Sequence, residues 1–176
     1  MPDIAMKPNR RLLLFLPLAH VFARYMQFFC FAGNVSLGLS SNLKTILADF
    51  KAFKPTFILA VPRIFEKIYN AASQKAGAGF KGRVFADATL TAYDWSHAQQ
   101  SGGSIPLALN AKHALYNKLV YSSIMEVFGG HVEYAVSGGA PLDSSIAHFF
   151  NGVGLPLLEG YGMTETCAPS SVNPTE

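Results

Sequence analysis

Two glycine-rich turns carry the residue types in this sequence that are suited to chemistry. The first is residues 137–142 (SGGAPL), and the second is residues 160–166 (GYGMTET), which we expect to form a polar loop after a short buried strand. Glycines on both sides of an aromatic ring let the backbone approach a flat ligand closely. A hydroxyl beside a carboxylate, as in Thr164 and Glu165, suits a phosphate group and its Mg²⁺. The two turns together predict a phosphate-binding site.

Each turn taken alone has a simpler interpretation. SGGAPL is also typical of an ordinary turn in which Pro141 precedes a helix, and Glu165 could be a solvated carboxylate. A serine nucleophile elbow is excluded, because position 135 is alanine where that pattern requires glycine. The sequence contains neither a Walker A motif nor a dinucleotide fingerprint. What favours a site is the pair, since both turns follow neighbouring predicted strands, where open α/β sheets bind ligands.

The elements that must position these turns alternate between strands and helices. Short apolar runs predict strands at 12–16, 35–39, 57–61, 132–136 and 156–158. Helical spacing of apolar residues predicts helices at 21–31, 43–53, 63–76, 80–100, 107–127 and 143–153. This alternation predicts an α/β fold with a mainly parallel sheet and helices on both faces. We expect one α/β subdomain over residues 1–176, with a helical insertion at about 77–106 between glycine-rich segments.

Composition indicates a chain whose surfaces meet other protein or lipid. Half of the 176 residues are hydrophobic and only 14% are charged, against about a quarter in a typical free domain. Lysine and arginine are scattered and the net charge is only +3, so no nucleic-acid partner is expected. The two cysteines have no metal-like spacing, which fits a reducing compartment. Residues 25–43 carry no charge, but polar residues interrupt them and they are not expected to span a membrane.

Four strings in the same order resemble one enzyme family. They are residues 15–24 (FLPLAHVFAR), 59–68 (LAVPRIFEKI), 137–142 (SGGAPL) and 161–166 (YGMTET). Together they are similar to the adenylate-forming (AMP-binding) superfamily, and the first two indicate its long-chain fatty-acid–CoA ligases. The resemblance runs from about residue 12 to residue 168 and covers part of the large N-terminal domain of such an enzyme.

The resemblance implies an activity, its co-substrates and its partners. Such enzymes use ATP and Mg²⁺ to convert a fatty acid to an acyl-adenylate, releasing pyrophosphate, and then transfer the acyl group to coenzyme A. Fatty acid, ATP, coenzyme A and the remainder of the parent chain are therefore the expected partners. The resemblance also implies a cytoplasmic protein, with peripheral membrane association of the parent as an alternative.

The resemblance also implies roles for individual residues. Glu165 would ligate Mg²⁺, and Thr164 would hold a phosphate or adenylate oxygen. His20 corresponds to a histidine that lies beside the acyl carboxylate in the family, although a lone histidine at a strand end is more often a structural hydrogen-bonding group. The residues that would surround the nucleotide are Gly138, Gly139, Ala140, Pro141, Tyr161 and Gly162, together with Thr164. Of these, Tyr161 would lie flat against the adenine.

Several motifs of the family do not occur within these 176 residues. They are the phosphate loop that ends in lysine, the ribose-binding aspartate, the hinge arginine and the small domain with its catalytic lysine. We therefore expect negligible ligase activity from this chain alone. Two alternatives remain open: an adenylating enzyme that uses aryl acids or loads a carrier protein, and a catalytically dead module that binds lipid or nucleotide. The aromatic segment 22–31 is likewise open to two interpretations, core packing or part of an acyl groove.

Overall fold

The computed structural model describes residues 9–102 and 104–173, which form a single six-stranded sheet with helices on both faces. The strands are β1 (Arg11–Leu14), β2 (Ser36–Leu39), β3 (Phe57–Ala60), β4 (Tyr134–Gly138), β5 (Leu157–Met163) and β6 (Ala168–Val172). The helices are α1 (Val21–Ala32), α2 (Ile46–Phe53), α3 (Pro62–Ala76), α4 (Phe80–Gln100), α5 (Leu107–Tyr116), α6 (Ser122–Val127) and α7 (Ser144–Val153). A π-helical turn (Asn117–Tyr121) joins α5 to α6, and a 3₁₀ turn (Thr164–Thr166) joins β5 to β6.

The sheet has the strand order β2-β1-β3-β4-β5-β6. Strands β1 to β5 are parallel, and β6 pairs antiparallel with β5. Strand β3 lies inside the sheet, and all four of its residues are buried, as expected for a parallel strand covered on both faces. The predicted α/β class and mainly parallel sheet are therefore confirmed.

The helices cover the two faces of the sheet unequally. On one face, Leu13 and Ile58 pack with buried residues of α2, α3, α4, α6 and α7. On the other face, Leu12, Leu59 and Val136 pack with buried residues of α1, which is the one described helix in that cluster. Among the described residues, no helix is both long enough and apolar enough to cross a bilayer.

Helix α4 lies on top of α7 and contributes to the core. Its residues Phe85, Ala88 and Ala92 are buried with the first cluster. The two helices approach so closely that a Cβ added at Gly152 would lie 2.0 Å from the backbone oxygen of Ala92. The helix at 80–100 is thus found where the sequence predicts it, while the interpretation of residues 77–106 as an insertion stays a prediction. The long helix predicted at 107–127 is present, but the π-helical turn interrupts it.

The second glycine-rich turn differs from the prediction of a loop. Residues 160–163 continue strand β5, because β6 pairs with them in the register Gly160↔Val172 and Met163↔Ala168. This pairing supplies backbone hydrogen-bond partners that a free loop would lack. The sequence APSSV at 168–172 has no regular apolar alternation, so it did not predict β6. The polar turn is therefore confined to the 3₁₀ residues and to Cys167, whose φ of 58° is left-handed.

Candidate active site

A cleft of about 240 Å³ lies at the carboxyl ends of β4 and β5, beside the start of α1. Three segments that are far apart in the sequence form its walls. They are the residues around His20, the end of β4 with the turn after it, and the end of β5 with the 3₁₀ turn. The predicted residues that line this cleft are His20, Gly138, Gly139, Tyr161, Gly162, Thr164 and Glu165. The structure thus brings together most of the site predicted from the sequence.

Strand register places the glycines of the two turns side by side. Gly138 of β4 pairs directly with Gly160 of β5. A Cβ at Gly138 would lie 3.1 Å from the ring of Phe22 and 3.3 Å from the oxygen of Gly160, so a larger residue would crowd the cleft. Gly139 has a φ of +84°, a left-handed conformation that glycine adopts without strain. These two positions require glycine for different reasons, one for close approach and the other for backbone conformation.

Helix α1 begins at the cleft, and His20 is its N-cap. The Nδ1 atom of His20 accepts a hydrogen bond from the backbone N–H of Phe22 at 3.3 Å. A neutral His20 ring with this contact therefore carries its proton on Nε2. The first turn of a helix carries partial positive charge, which stabilises nearby anions. The structural role and the proposed site role of His20 are thus compatible, because the cap uses only one ring nitrogen.

The side chains on the β5 side of the cleft are open to solvent. Tyr161 is 63% exposed, so its ring is available to a planar ligand. Thr164 and Glu165 are also exposed, on the 3₁₀ turn. The lining includes one carboxylate, that of Glu165, and no lysine or arginine. Within residues 9–102 and 104–173, no hydrogen bond or ion pair occupies this carboxylate, which leaves its oxygens available to a cation.

The turn between β4 and α7 is fixed at its far end. The Oε1 atom of Glu159 accepts a hydrogen bond from the backbone N–H of Leu142 at 3.1 Å, which ties the turn to β5. Asp143 caps α7 by accepting from the backbone N–H of Ser145 at 2.8 Å. Hydrogen bonds from the Ser145 side chain and backbone hold the pKa of Asp143 below its usual range. The turn is therefore held by β5 on one side and by a capped helix on the other.

Two of the predicted residues lie outside the lining of the cleft. Ala140 and Pro141 are exposed and follow Gly139 along the turn, away from the cleft wall. Their part in nucleotide binding stays a prediction.

Five residues of the lining were not among the individually predicted site residues. They are Val21, Phe22, Gly160, Met163 and Pro169. Phe22 could have been found, because the predicted helix at 21–31 starts directly after His20. Pro169 carried no signal, since it lies on β6, which was not predicted. The sequence also did not indicate the environment of Ser137. Its hydroxyl is fully buried and, within the described part of the chain, has no hydrogen-bond partner.

Comparison with known proteins assigns the chain to a family. The family model of the AMP-binding enzymes matches residues 1–176. The chain is 48% identical over 161 residues to the long-chain-fatty-acid–CoA ligase FadD15 of Mycobacterium bovis, covering 92% of this chain and 27% of that ligase. It is 33% identical to long chain acyl-CoA synthetase 3 of Arabidopsis thaliana, covering 92% of this chain and 24% of that enzyme. The chain thus spans about a quarter of the length of these curated relatives.

Solved structures share the fold at low sequence identity. The adenylation domain of a carboxylate reductase from Mycobacterium chelonae superimposes with a TM-score of 0.63 at 22% identity, covering 92% of this chain and 23% of that domain. O-succinylbenzoate coenzyme A synthetase from Bacillus subtilis superimposes with a TM-score of 0.60 at 15% identity, covering 99% of this chain and 25% of that enzyme. The family match over the full chain and the identity to the curated ligases decide the assignment: the chain belongs to the AMP-binding enzyme family.

Proposed function

We propose that the cleft binds the adenylate part of an acyl-adenylate, and that the protein containing this chain is an ATP-dependent long-chain fatty-acid–CoA ligase. The overall reaction is fatty acid, ATP and coenzyme A to acyl-CoA, AMP and pyrophosphate. The observation that carries the proposal is the convergence of His20, the glycines of β4 and the residues 161–165 on one cleft. The relatives at 48% and 33% identity, both named for long-chain acyl substrates, support the choice of acid.

The chemical difficulty is the approach of two anions. A carboxylate must attack an α-phosphate that already carries negative charge, so that charge must be neutralised where it develops. The N-terminus of α1 lies at the cleft and carries partial positive charge, which stabilises part of the negative charge on the phosphate. His20 supports the same task, because its Nε2–H remains free of the capping bond and can donate to an acyl or phosphate oxygen.

The residues of the cleft fit a magnesium ion. Mg²⁺ is usually held by one or two carboxylates together with substrate phosphates and waters, and this cleft offers the carboxylate of Glu165 beside the hydroxyl of Thr164. When bound, Mg²⁺ would reduce the repulsion between the phosphate oxygens and the attacking carboxylate. In this proposal Glu165 holds the ion, and Thr164 donates its hydroxyl hydrogen bond to a phosphate or adenylate oxygen.

The glycines and Tyr161 fit the nucleotide. An exposed aromatic ring next to Gly160 and Gly162 provides a flat surface without neighbouring side chains. Gly138 and Gly162 would leave room for the linkage between acyl group and phosphate, since neither carries a side chain into the cleft. Coenzyme A is the acyl acceptor in this proposal.

Replacing Glu165 with glutamine in the full-length protein tests the proposal. We expect adenylate formation to fall by about a hundredfold or more, because the neutral amide no longer compensates the charge of the metal. The measurement is ATP–pyrophosphate exchange with a panel of long-chain, short-chain and aromatic carboxylic acids. Glu126→Gln, an exposed residue of α6 away from the cleft, is the matched control and should retain full exchange.

Three results would contradict the proposal. Undiminished exchange in Glu165→Gln would refute the metal role of Glu165. Exchange that responds only to aromatic acids would indicate an aryl-acid enzyme. A full-length protein that shows no exchange with any acid, but still binds nucleotide, would indicate a catalytically dead module.

A further inference from the structure

Met163 is the last residue of β5 and lies in the lining of the cleft, yet the proposed chemistry gives it no role. The residue is 44% exposed, whereas methionine is usually among the buried residues of a folded domain. Of the other methionines in residues 9–102 and 104–173, Met26 is 2% exposed and Met125 is half-buried. Met163 is therefore the described methionine that is most open to a small reagent in solution.

The backbone of Met163 is held where β5 passes into the 3₁₀ turn. Its N–H donates to the Oγ1 atom of Thr166 at 3.2 Å, and the Thr166 hydroxyl donates to the carbonyl oxygen of Met163 at 3.0 Å. These two bonds close the turn that carries Thr164 and Glu165. A chemical change in the side chain of Met163 therefore occurs within one turn of the residues proposed to hold the phosphate and Mg²⁺.

The change that an exposed thioether undergoes is oxidation to the sulfoxide. A lone pair of the sulfur attacks one oxygen of hydrogen peroxide, and the O–O bond breaks. The departing hydroxide takes the proton of the transferred oxygen and leaves as water, so that the sulfur loses two electrons and the peroxide gains them. The product is polar and chiral, whereas the thioether is apolar. Peroxide is little larger than water, so a cleft that admits a nucleotide also admits peroxide.

We propose that Met163 is an oxidation site in the cleft, and that its conversion to the sulfoxide lowers adenylate formation until a reductase restores the thioether. The sulfoxide oxygen carries partial negative charge, and it lies in a cleft that must neutralise the charge of a phosphate. It is also a hydrogen-bond acceptor that competes with the phosphate for the hydroxyl of Thr164, the next residue. The effect on adenylate formation rests on the proposed function, whereas oxidation of Met163 does not.

A second sulfur close in the sequence must be distinguished from that of Met163. Cys167 is exposed, but it lies outside the lining of the cleft. Oxidation of a cysteine to the sulfenic acid or a disulfide is reversed by thiols. Methionine sulfoxide is reversed by methionine sulfoxide reductases, one for each epimer at sulfur. The treatment that restores activity therefore identifies the oxidised residue.

The test is ATP–pyrophosphate exchange by the full-length protein before and after exposure to hydrogen peroxide, with peptide mass spectrometry of residue 163. After peroxide and then dithiothreitol, we expect exchange to stay about fivefold below its starting rate, and both reductases together to restore it. Each variant is compared with its own untreated rate. Met163→Leu should change by less than about twofold, because it has no sulfur to oxidise. The controls Met26→Leu, at a buried methionine, and Cys167→Ser should both show the full loss.

Four results would overturn the inference. Met163 could remain a thioether while exchange falls, or it could be fully oxidised while exchange is unchanged. Met163→Leu could lose exchange as steeply as the unchanged protein, or Cys167→Ser could abolish the sensitivity.

Failure of the proposed function is recognised separately. A full-length protein that shows no exchange even before peroxide would refute the proposed function. Titration calorimetry with AMP then replaces exchange, and the protein oxidised at Met163 should bind AMP about fivefold more weakly than the reduced protein. Equal affinity of the two forms would overturn the inference about Met163 as well.

Discussion

At the scale of single residues, the cleft depends on side chains that are absent as much as on those present. Gly138 is the clearest case, because its backbone lies against the ring of Phe22 and the oxygen of Gly160. Any side chain at this position must displace one of those neighbours. The oxygen belongs to a paired strand and cannot move, so the Phe22 ring, which lines the cleft, must shift.

Gly138→Ala should therefore impair the site more than the fold. We expect kcat/KM for adenylate formation to fall about tenfold, equivalent to about 1.4 kcal/mol of transition-state stabilisation, because the displaced Phe22 ring lines the cleft. The measurement is pyrophosphate exchange alongside thermal melting of the full-length protein. Gly79→Ala is the matched control, because no atom lies within 4 Å of a Cβ added there. Equal activity of the two variants would show that the cleft tolerates a side chain at 138.

The sequence identified the polar and aromatic residues of the cleft more readily than the apolar residues that line it. Tyr161, Thr164 and Glu165 could be identified because an aromatic ring between two glycines, followed closely by a hydroxyl and a carboxylate, has few purely structural explanations. Phe22 lies in a segment that stayed open to two interpretations, core packing or part of an acyl groove, because an apolar side chain looks the same in sequence whether it faces a cleft or another helix. The structure decides, because the register places Gly138 beside Gly160 and the ring of Phe22 lies against Gly138 at the cleft.

At the scale of elements, the contact between α4 and α7 links the helix at residues 80–100 to the helix that follows the glycine turn of the cleft. Helix α7 follows the glycine turn of the cleft, and α4 lies directly on it at Gly152 and Ala92. The same contact includes His148, whose Nδ1 atom lies 3.1 Å from the hydroxyl of Ser96. The rings of Tyr93 and His97 on α4 also contact His148. Burial, and secondarily the charge of His97, lower the pKa of His148.

This environment predicts a pH dependence of stability. Because the pKa is lower in the folded state than the unfolded value of 6.5, the unfolded state binds the proton more readily in that range. The contribution of His148 is therefore complete above pH 6.5 and is lost as pH falls through the folded pKa. We expect the melting temperature to fall between pH 7.5 and pH 5.5, and to fall less in His148→Gln. His131→Gln, at an exposed position, should keep the slope of the unchanged protein; an identical slope in His148→Gln would contradict the prediction.

Sequence periodicity predicted the elements of this fold more reliably than their ends. The five parallel strands were predicted from short apolar runs, and the helices at 21–31 and 80–100 from the helical patterns between those runs. Strand β6 was not, because the sequence Ala168–Val172 is mostly polar and its pairing with β5 is a non-local contact. That single omission also caused β5 to be predicted as a three-residue strand followed by a loop.

At the scale of the whole molecule, the sheet brings together segments that are more than a hundred residues apart in the sequence, and these segments line the cleft. The segment after β1 and the segment at β5 lie close together although β3 and β4 separate their strands, because α1 extends across that face of the sheet. A ligand in the cleft would therefore contact α1, β4 and β5 at once. Binding there should stabilise the molecule as a unit.

An acyl-adenylate analogue should raise the melting temperature of the protein. At a concentration one hundred times its Kd, linkage gives about 2.7 kcal/mol of stabilisation, equivalent to several degrees for a domain of this size. Differential scanning calorimetry measures the shift. Tyr161→Ala should reduce it by weakening the nucleotide contact, whereas Tyr25→Ala, on an exposed part of α1, is the control. A shift that is the same in both variants would mean that the analogue binds elsewhere.

The distance along the chain between the two walls of the cleft has a consequence for biosynthesis. Phe22 leaves the ribosome well over a hundred residues before Gly160, which at usual elongation rates is on the order of ten seconds. During that interval the aromatic side chains of the early helix have no completed sheet to cover them. Nascent chains of this protein should therefore depend on chaperones until the hairpin of β5 and β6 emerges, and the nucleotide can be captured only after that hairpin is made.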